Sequence, residues 1–201
     1  SISKLIPVEI RKRGYLNVAT ESYPPAVIVS PSGGPLTGWE PAIADELGRI
    51  LSVRFQFTVI PFASIVPGLA ANRFDMAMGQ IAVSAERRKV VYFVTDYAST
   101  TSFMTTSASK LPLSVEIDLC GTSAAVLSGS VPWVFVNTIQ TKCTDAGKNP
   151  ISIQTYQSQA EANLALQSGR VQVDVSSTAS LMAVTDQAPG QFKVIGSFYP
   201  T

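Results

Sequence analysis

The sequence predicts an α/β protein built as two lobes with mainly parallel sheets. Short apolar runs alternate with amphipathic helical patterns along the whole chain, the signature of strands and helices packed in layers. A Ser- and Thr-rich segment at 98–113 carries no helical period and separates two stretches that share this grammar, so it reads as a crossing between lobes. The length of 201 residues suffices for one large domain or two small ones with a buried core.

In the first stretch, 15–20 reads as a strand, followed by a Pro- and Gly-rich loop over 22–38. Residues 41–51 are helical, with Ile43, Leu47, Ile50 and Leu51 on one face and Pro41 in the first turn, where its missing N–H costs nothing. Phe55, Phe57 and Val59 alternate in a strand over 54–60. A helix over 64–71 and a turn at Asn72-Arg73-Phe74-Asp75 lead to a short buried strand at 76–80. A short helix from about Ala85 then precedes a strand at 90–94. The second stretch places strands at 123–127, 151–155, 171–176 and 192–195, and helices at 131–142, 159–167 and 177–186. Gly169 ends the middle helix as a left-handed terminator.

Composition narrows the chemistry. Fifteen Lys and Arg against 14 Asp and Glu give no electrostatic case for nucleic acid or an acidic membrane surface. There is no histidine, which excludes a Ser-His-Asp or Cys-His relay and any His-ligated zinc or haem. Two cysteines cannot form a four-thiolate metal site. Chemistry at neutral pH would have to run on carboxylates, Lys, Tyr or Cys, so composition leans toward binding. Residues 1–15 form a mixed, basic segment without the apolar core of a signal peptide, and no window reaches the roughly 18 to 20 apolar residues of a membrane span.

Cys120 and Cys143 sit in similar polar, turn-like contexts, Asp-Leu-Cys-Gly and Lys-Cys-Thr-Asp-Ala-Gly. Two buried free thiols are one reading. The preferred one is a disulfide, which favours an oxidising compartment. The expected molecule is a mature periplasmic or extracellular chain whose leader has been removed.

Specific strings then accumulate in order: Tyr23-Pro24-Pro25, Gly38-Trp39-Glu40, Ile65-Val66-Pro67-Gly68-Leu69, Asn72-Arg73-Phe74-Asp75, and Ser84-Ala85-Glu86-Arg87 with Phe93 and Tyr97 behind it. Asp118-Leu119-Cys120-Gly121, Leu127-Ser128-Gly129-Ser130 and Leu166-Gln167-Ser168-Gly169-Arg170-Val171 complete the set. With these motifs the chain resembles the family 3 extracellular solute-binding proteins, the receptors of amino-acid-type ABC importers. The resemblance implies a two-lobed, type II periplasmic-binding-protein-like α/β fold with two hinge strands, closing on a ligand in the cleft. Lobe 1 would occupy 1–101, lobe 2 102–195, and the second hinge strand 196–201. Such proteins return to lobe 1 after the second hinge and finish it with further helices. The sequence stops about where that return begins, so the C-terminal part of lobe 1 is expected to be missing, at a cost to its autonomous stability. The resemblance further implies a monomer that passes a small-molecule carboxylate to a membrane permease, with no cofactor, metal or nucleic acid.

The expected ligand-binding set is Arg87, Tyr23, Trp39, Phe62, Gln80, Ile81, Ala82, Leu127, Ser130, Val131, Ser176 and Ser177. Arg87 matches the family's carboxylate-binding arginine, whose fork makes two charge-assisted hydrogen bonds. Taken alone it could equally pair with Glu86 or Asp96 on a surface helix. Backbone N–H groups at Ser130 and Val131, after Gly129, would cradle the same anion. Tyr23, Trp39 and Phe62 match family positions that face the ligand, a core role being the alternative for each. Trp133 is a further aromatic near that turn, and Glu21 aligns roughly with an acidic position that contacts cationic side chains in some relatives.

Departures from the family pattern point to the ligand. The family's α-amino clamp uses a hydroxyl in the strand before the arginine and an Asp after the Gly-Arg strand, and those positions are Ala82 and Ser177 here. An ammonium closed in without a carboxylate partner would be costly. Ala26 replaces a phenylalanine after the two prolines, and Ala42 an acidic residue. The expected ligand therefore carries a carboxylate but need not be an ordinary α-amino acid; an amino-acid derivative, an opine-like compound or an aromatic or aliphatic acid fits. Two competing roles remain: a cyclohexadienyl dehydratase-like enzyme, for which Asp174 lies out of phase with Val173 and Val175, and the sensing domain of a membrane receptor.

Overall fold

A computed structural model describes residues 2–200. The chain divides into two compact units, one ending at Phe93 and the other beginning at Val94.

The first unit opens with a 3-10 turn, Ile2–Leu5, and a short helix α1, Val8–Arg13, which the sequence reading did not assign. Gly14 (φ 80°) ends α1 in the left-handed region. Then follow β1 (Tyr15–Thr20), α2 (Trp39–Leu51), β2 (Arg54–Val59), α3 (Ile65–Ala70) and β3 (Met76–Ala77). The sheet order is β2-β1-β3, all parallel, with Leu16 paired to Phe55 and Val18 to Met76. Leu16, Val18, Ala44, Val53 and Met78 form its core.

Four expectations need correction. The helix at α2 is present, but Ile43, Leu47 and Ile50 are 38, 37 and 44% exposed, so the apolar stripe does not face the core. Its rotation is set at its N-terminus: the Glu40 amide donates to the Ala26 carbonyl (3.1 Å), and the Glu40 carboxylate accepts the Gln80 amide (2.7 Å). That turns Glu40 and Ala44 inward. Gly48 follows on that face, where a Cβ would stand 2.7 Å from the Val53 carbonyl oxygen. The strand expected at 76–80 ends after two residues, because Gly79 (φ 151°) and Gln80 (φ 55°) turn the chain away. Residues 90–94 form no strand, since no neighbouring strand offers a ladder among the described residues, and Tyr92 and Val94 are fully exposed. The helix expected from Ala85 is a single 3-10 turn, Arg87–Lys89.

The second unit contains β4 (Thr100–Thr106), β5 (Ser123–Leu127), α4 (Val131–Asp145), β6 (Ser152–Tyr156), α5 (Gln159–Gln167), β7 (Val173–Ser177), α6 (Thr178–Gln187) and β8 (Phe192–Pro200). The strand order is β6-β5-β7-β4-β8; β6, β5 and β7 run parallel, while β4 is antiparallel to β7 and β8. The Ser- and Thr-rich segment thus supplies an inner strand, whose period of two sends Phe103 to one face and Met104 to the other. On the Phe103 face lie Leu119, Val126, Phe135, Val136, Ile139, Val173 and Val175. On the Met104 face lie Ala125, Ala162, Leu166 and Leu181.

Cys120 and Cys143 are bonded, with Cα atoms 5.6 Å apart, tying the 3-10 turn Glu116–Leu119 to the end of α4. Chain-entropy reasoning assigns such a loop about 3 kcal/mol. Urea unfolding followed with and without reductant should show the second unit losing roughly that amount. Superimposable curves would mean that the staple contributes nothing.

Candidate functional site

In the first unit, the site residues gather where β1 and β3 end and the chain turns away. Glu21, the residue after β1, is buried at 3% exposure. The Phe62 amide hydrogen-bonds its carboxylate, yet Oε1 has no partner. Burial pushes the Glu21 carboxyl up to about 8, against the Phe62 hydrogen bond that lowers it. The Phe62 ring lies beneath the guanidinium of Arg87, 5.3 Å from Cζ to centroid, a cation–π arrangement. Arg87 donates from Nη1 to the Ala82 carbonyl (2.6 Å), and its amide donates to Ser84 Oγ (3.2 Å). Partial burial draws the Arg87 pKa down from its ordinary value. Glu21, Phe62, Ala82 and Arg87 are therefore linked in one patch.

The remaining residues of this half are placed by the loop before α2. Tyr23 is buried and exchanges backbone hydrogen bonds with Val27 across a turn containing the cis Pro24-Pro25 bond. Gly38 (φ 112°) packs so closely on this turn that a Cβ would lie 2.3 Å from the Ala26 carbonyl oxygen, and it delivers the half-buried Trp39 as the first residue of α2. Gln80 is held through its amide by Glu40, and Ile81 is half-buried beside it.

In the second unit, the remaining residues lie at the C-terminal ends of β5 and β7, which pair in parallel through Val126 and Val175. Beyond Leu127, Gly129 (φ 73°) makes the turn and Ser130 caps α4: its Oγ donates to the Leu127 carbonyl (2.7 Å) and accepts the Trp133 amide (3.1 Å). Val131 is the first residue of α4, so its N–H has no acceptor within the helix. Trp133 is 37% exposed. At the end of β7, Ser177 caps α6 by accepting the Ser180 amide (3.2 Å), and Ser176 donates its hydroxyl to Gln159 Oε1 (2.7 Å).

Sequence reasoning missed two groups here. Gln159 and Asp174 form a fully buried polar pair behind Ser176. The sequence sets Asp174 out of phase with Val173 and Val175 but offers it no partner; Gln159, at the start of an ordinary helix, gives no signal. The second is a hydroxyl cluster in which Thr178 Oγ1 meets Thr100 Oγ1 and Ser102 Oγ, each at 2.7 Å, and Thr100 Oγ1 meets Ser197 Oγ at 2.7 Å. It joins β4, β8 and the first turn of α6. Among the described residues no group of three or more potential metal ligands occurs.

The family model of the bacterial extracellular solute-binding proteins, family 3, matches residues 16–188. The octopine-binding periplasmic protein of Rhizobium meliloti is 29% identical over 202 residues, covering 92% of this chain and 68% of its own. The L-arginine-binding protein of Pseudomonas aeruginosa is 26% identical over 160 residues, covering 80% of this chain and 59% of its own. The chain thus spans 68% and 59% of the lengths of these two relatives. A solved structure of the ancestral amino acid-binding protein AncCDT-1, a precursor of cyclohexadienyl dehydratase, shares the fold, with a TM-score of 0.84, 24% identity, and coverage of 100% of this chain and 82% of that one. With a family match that runs from β1 through α6, the chain belongs to the bacterial extracellular solute-binding proteins, family 3.

Proposed function

We propose that this chain is a periplasmic or extracellular receptor for a small carboxylate that also bears a cationic group, the class of arginine and its opine derivatives. It holds this ligand for an ABC importer and does not transform it. The observation that carries the reading is Glu21: a buried carboxylate with one oxygen unsatisfied, in the same patch as Phe62 and Arg87. An unpaired buried acid is costly, and a guanidinium or ammonium is its natural complement. The names of the two curated relatives, octopine- and arginine-binding, agree with that chemistry.

In this reading the first unit offers Arg87 to a ligand carboxylate and the rings of Tyr23, Trp39 and Phe62 to its apolar body, and the second unit offers the Val131 amide with Ser130, Ser176 and Ser177 as polar groups. Gln80, Ile81, Ala82 and Leu127 complete the lining. The lobe bounds 1–101, 102–195 and 196–201 belong to the same proposal. A population shift toward the ligand-bound form would supply the signal to the permease.

Isothermal titration tests the ligand class. L-arginine or octopine should bind, and neutral amino acids such as L-leucine should not. Glu21→Gln should erase that preference, a loss of about a hundredfold for a buried charge pair. Ionising Glu21 is part of cation binding, so affinity should rise with pH up to about 8 and then level off. Equal affinity for neutral and cationic ligands would overturn the reading. Turnover of prephenate would overturn the statement that the ligand is left unchanged.

A further inference from the structure

The segment that leads to Arg87 is held from two sides. Met78 donates its amide to the Ala19 carbonyl (3.1 Å), and Gly79 lies so close to the end of β1 that a Cβ would stand 3.2 Å from Thr20 Oγ1. Gln80 then adopts φ 55°, a left-handed conformation that costs a non-glycine residue free energy and persists where its surroundings hold it. Glu40 does the holding, for its carboxylate accepts the Gln80 amide at 2.7 Å. Glu40 is 3% exposed and sits in the first turn of α2, where its own amide donates to the Ala26 carbonyl (3.1 Å). The carboxylate therefore projects from a fixed base.

Past Gln80 the chain has little else to place it. Among the described residues, the amides of Ile81, Ala82 and Val83 donate to no backbone carbonyl. Two residues reach at most about 7 Å, so fixing Gln80 confines the Ala82 carbonyl to a small volume. That carbonyl accepts from Arg87 Nη1 at 2.6 Å. The Ser84 hydroxyl, which accepts the Arg87 amide (3.2 Å), and the Phe62 ring, 5.3 Å from Cζ, hold other parts of the same residue.

We infer that Glu40 is a positioning residue for Arg87: its carboxylate fixes the kink at Gly79 and Gln80, the kink places the Ala82 carbonyl, and the carbonyl aims the guanidinium. Glu40 thus acts on a ligand only through Arg87. This rests on the proposed function, in which Arg87 is offered to a ligand carboxylate, and every contact of the relay lies within the first unit. A hydrogen bond from an amide to a carboxylate is short and strong, which suits it to hold a left-handed turn. The competing role for Glu40 is to serve only the start of α2, where a negative group favours the helix dipole. Experiment separates the two roles, because the dipole needs charge and the relay needs an acceptor within reach of the Gln80 amide.

The test uses two variants of similar size: Glu40→Gln, which keeps an acceptor oxygen but no charge, and Glu40→Met, which keeps neither. A third, Glu40→Ser, is polar but too short to reach the amide, and should repeat the Glu40→Met result. In the ligand-free chain, NMR relaxation reads the order of the Arg87 Nε–H group, with the exposed Arg88 as the mobile reference. Wild type and Glu40→Gln should show an ordered Arg87, and Glu40→Met should bring it close to Arg88. Titrated with L-arginine, Glu40→Met should bind about three- to tenfold more weakly, and Glu40→Gln within about twofold of wild type. Added to Arg87→Ala, Glu40→Met should cost less than about twofold further, since an effect that travels through Arg87 vanishes without it. Two wild-type results overturn the relay without any variant having to fold: an Arg87 as mobile as Arg88, or a Gln80 amide that exchanges with solvent as fast as an unprotected one. So does an Arg87 that stays ordered in Glu40→Met, an equal loss in Glu40→Gln, or a full loss that persists beside Arg87→Ala. An ordered, Glu40-dependent Arg87 in a chain that does not bind L-arginine would overturn the ligand reading and leave the relay standing.

Discussion

Arg87→Ala lowers the affinity for L-arginine by at least about tenfold, the equivalent of one charge-assisted hydrogen bond of about 1.4 kcal/mol. The guanidinium has five donors, and the Ala82 carbonyl takes one of them at 2.6 Å. Stacked at 5.3 Å on Phe62, the group is held in place before a ligand arrives. Preorganisation of this kind means little side-chain entropy is lost on binding. Burial draws its pKa down, but an arginine starts so high that it stays charged at neutral pH. Arg87→Lys should restore only part of the affinity, because an ammonium cannot make the parallel pair of bonds to a carboxylate. Titration calorimetry on the three proteins measures both effects. Affinity unchanged in Arg87→Ala would remove this residue from the site.

Phe103→Ala destabilises the second unit by about 3 to 5 kcal/mol. Phe103 is fully buried in the inner strand β4, with ring centroids 4.6 Å from Phe198 and 6.4 Å from Phe135. Truncation removes the transfer free energy of the ring and leaves a cavity between rigid strands paired on both sides, which cannot collapse to fill it. Phe103→Leu should recover most of the loss, since it keeps most of the volume. Denaturant unfolding monitored in the second unit tests this, and a loss below about 1 kcal/mol would show that the three-ring cluster is not a principal support.

Much of this fold was legible because local patterns and tertiary structure agreed. β1 spans Tyr15–Thr20 and α5 Gln159–Gln167, as their periods predict, since each has a turn signal at its end. Agreement failed where an element's orientation depends on distant partners. The stripe of Ile43, Leu47 and Ile50 has a clear helical period, but Glu40, held by Gln80 and Ala26, turned a different face inward. The apolar run at 90–94 reads as a strand, yet an apolar run alone provides no ladder partner. The segment 98–113 has no helical period, and its Thr-rich part became an inner strand because β7 and β8 are available on either side of it.

The candidate site divides the same way. Arg87 and Phe62 were named because their motifs resemble the family's, and Ser130 and Val131 because a helix start is legible after Gly129; the Ser130 cap itself is seen only in the structure. By itself the sequence determined the α/β class, the absence of histidine chemistry, and the family to which the strings belong. Tertiary structure alone decided which polar groups are buried and which of them lack partners. Glu21 and Asp174 can be singled out in the sequence, but their burial cannot. Only packing strips water from them, and desolvation, a property of everything around a residue, is what raises their pKa values.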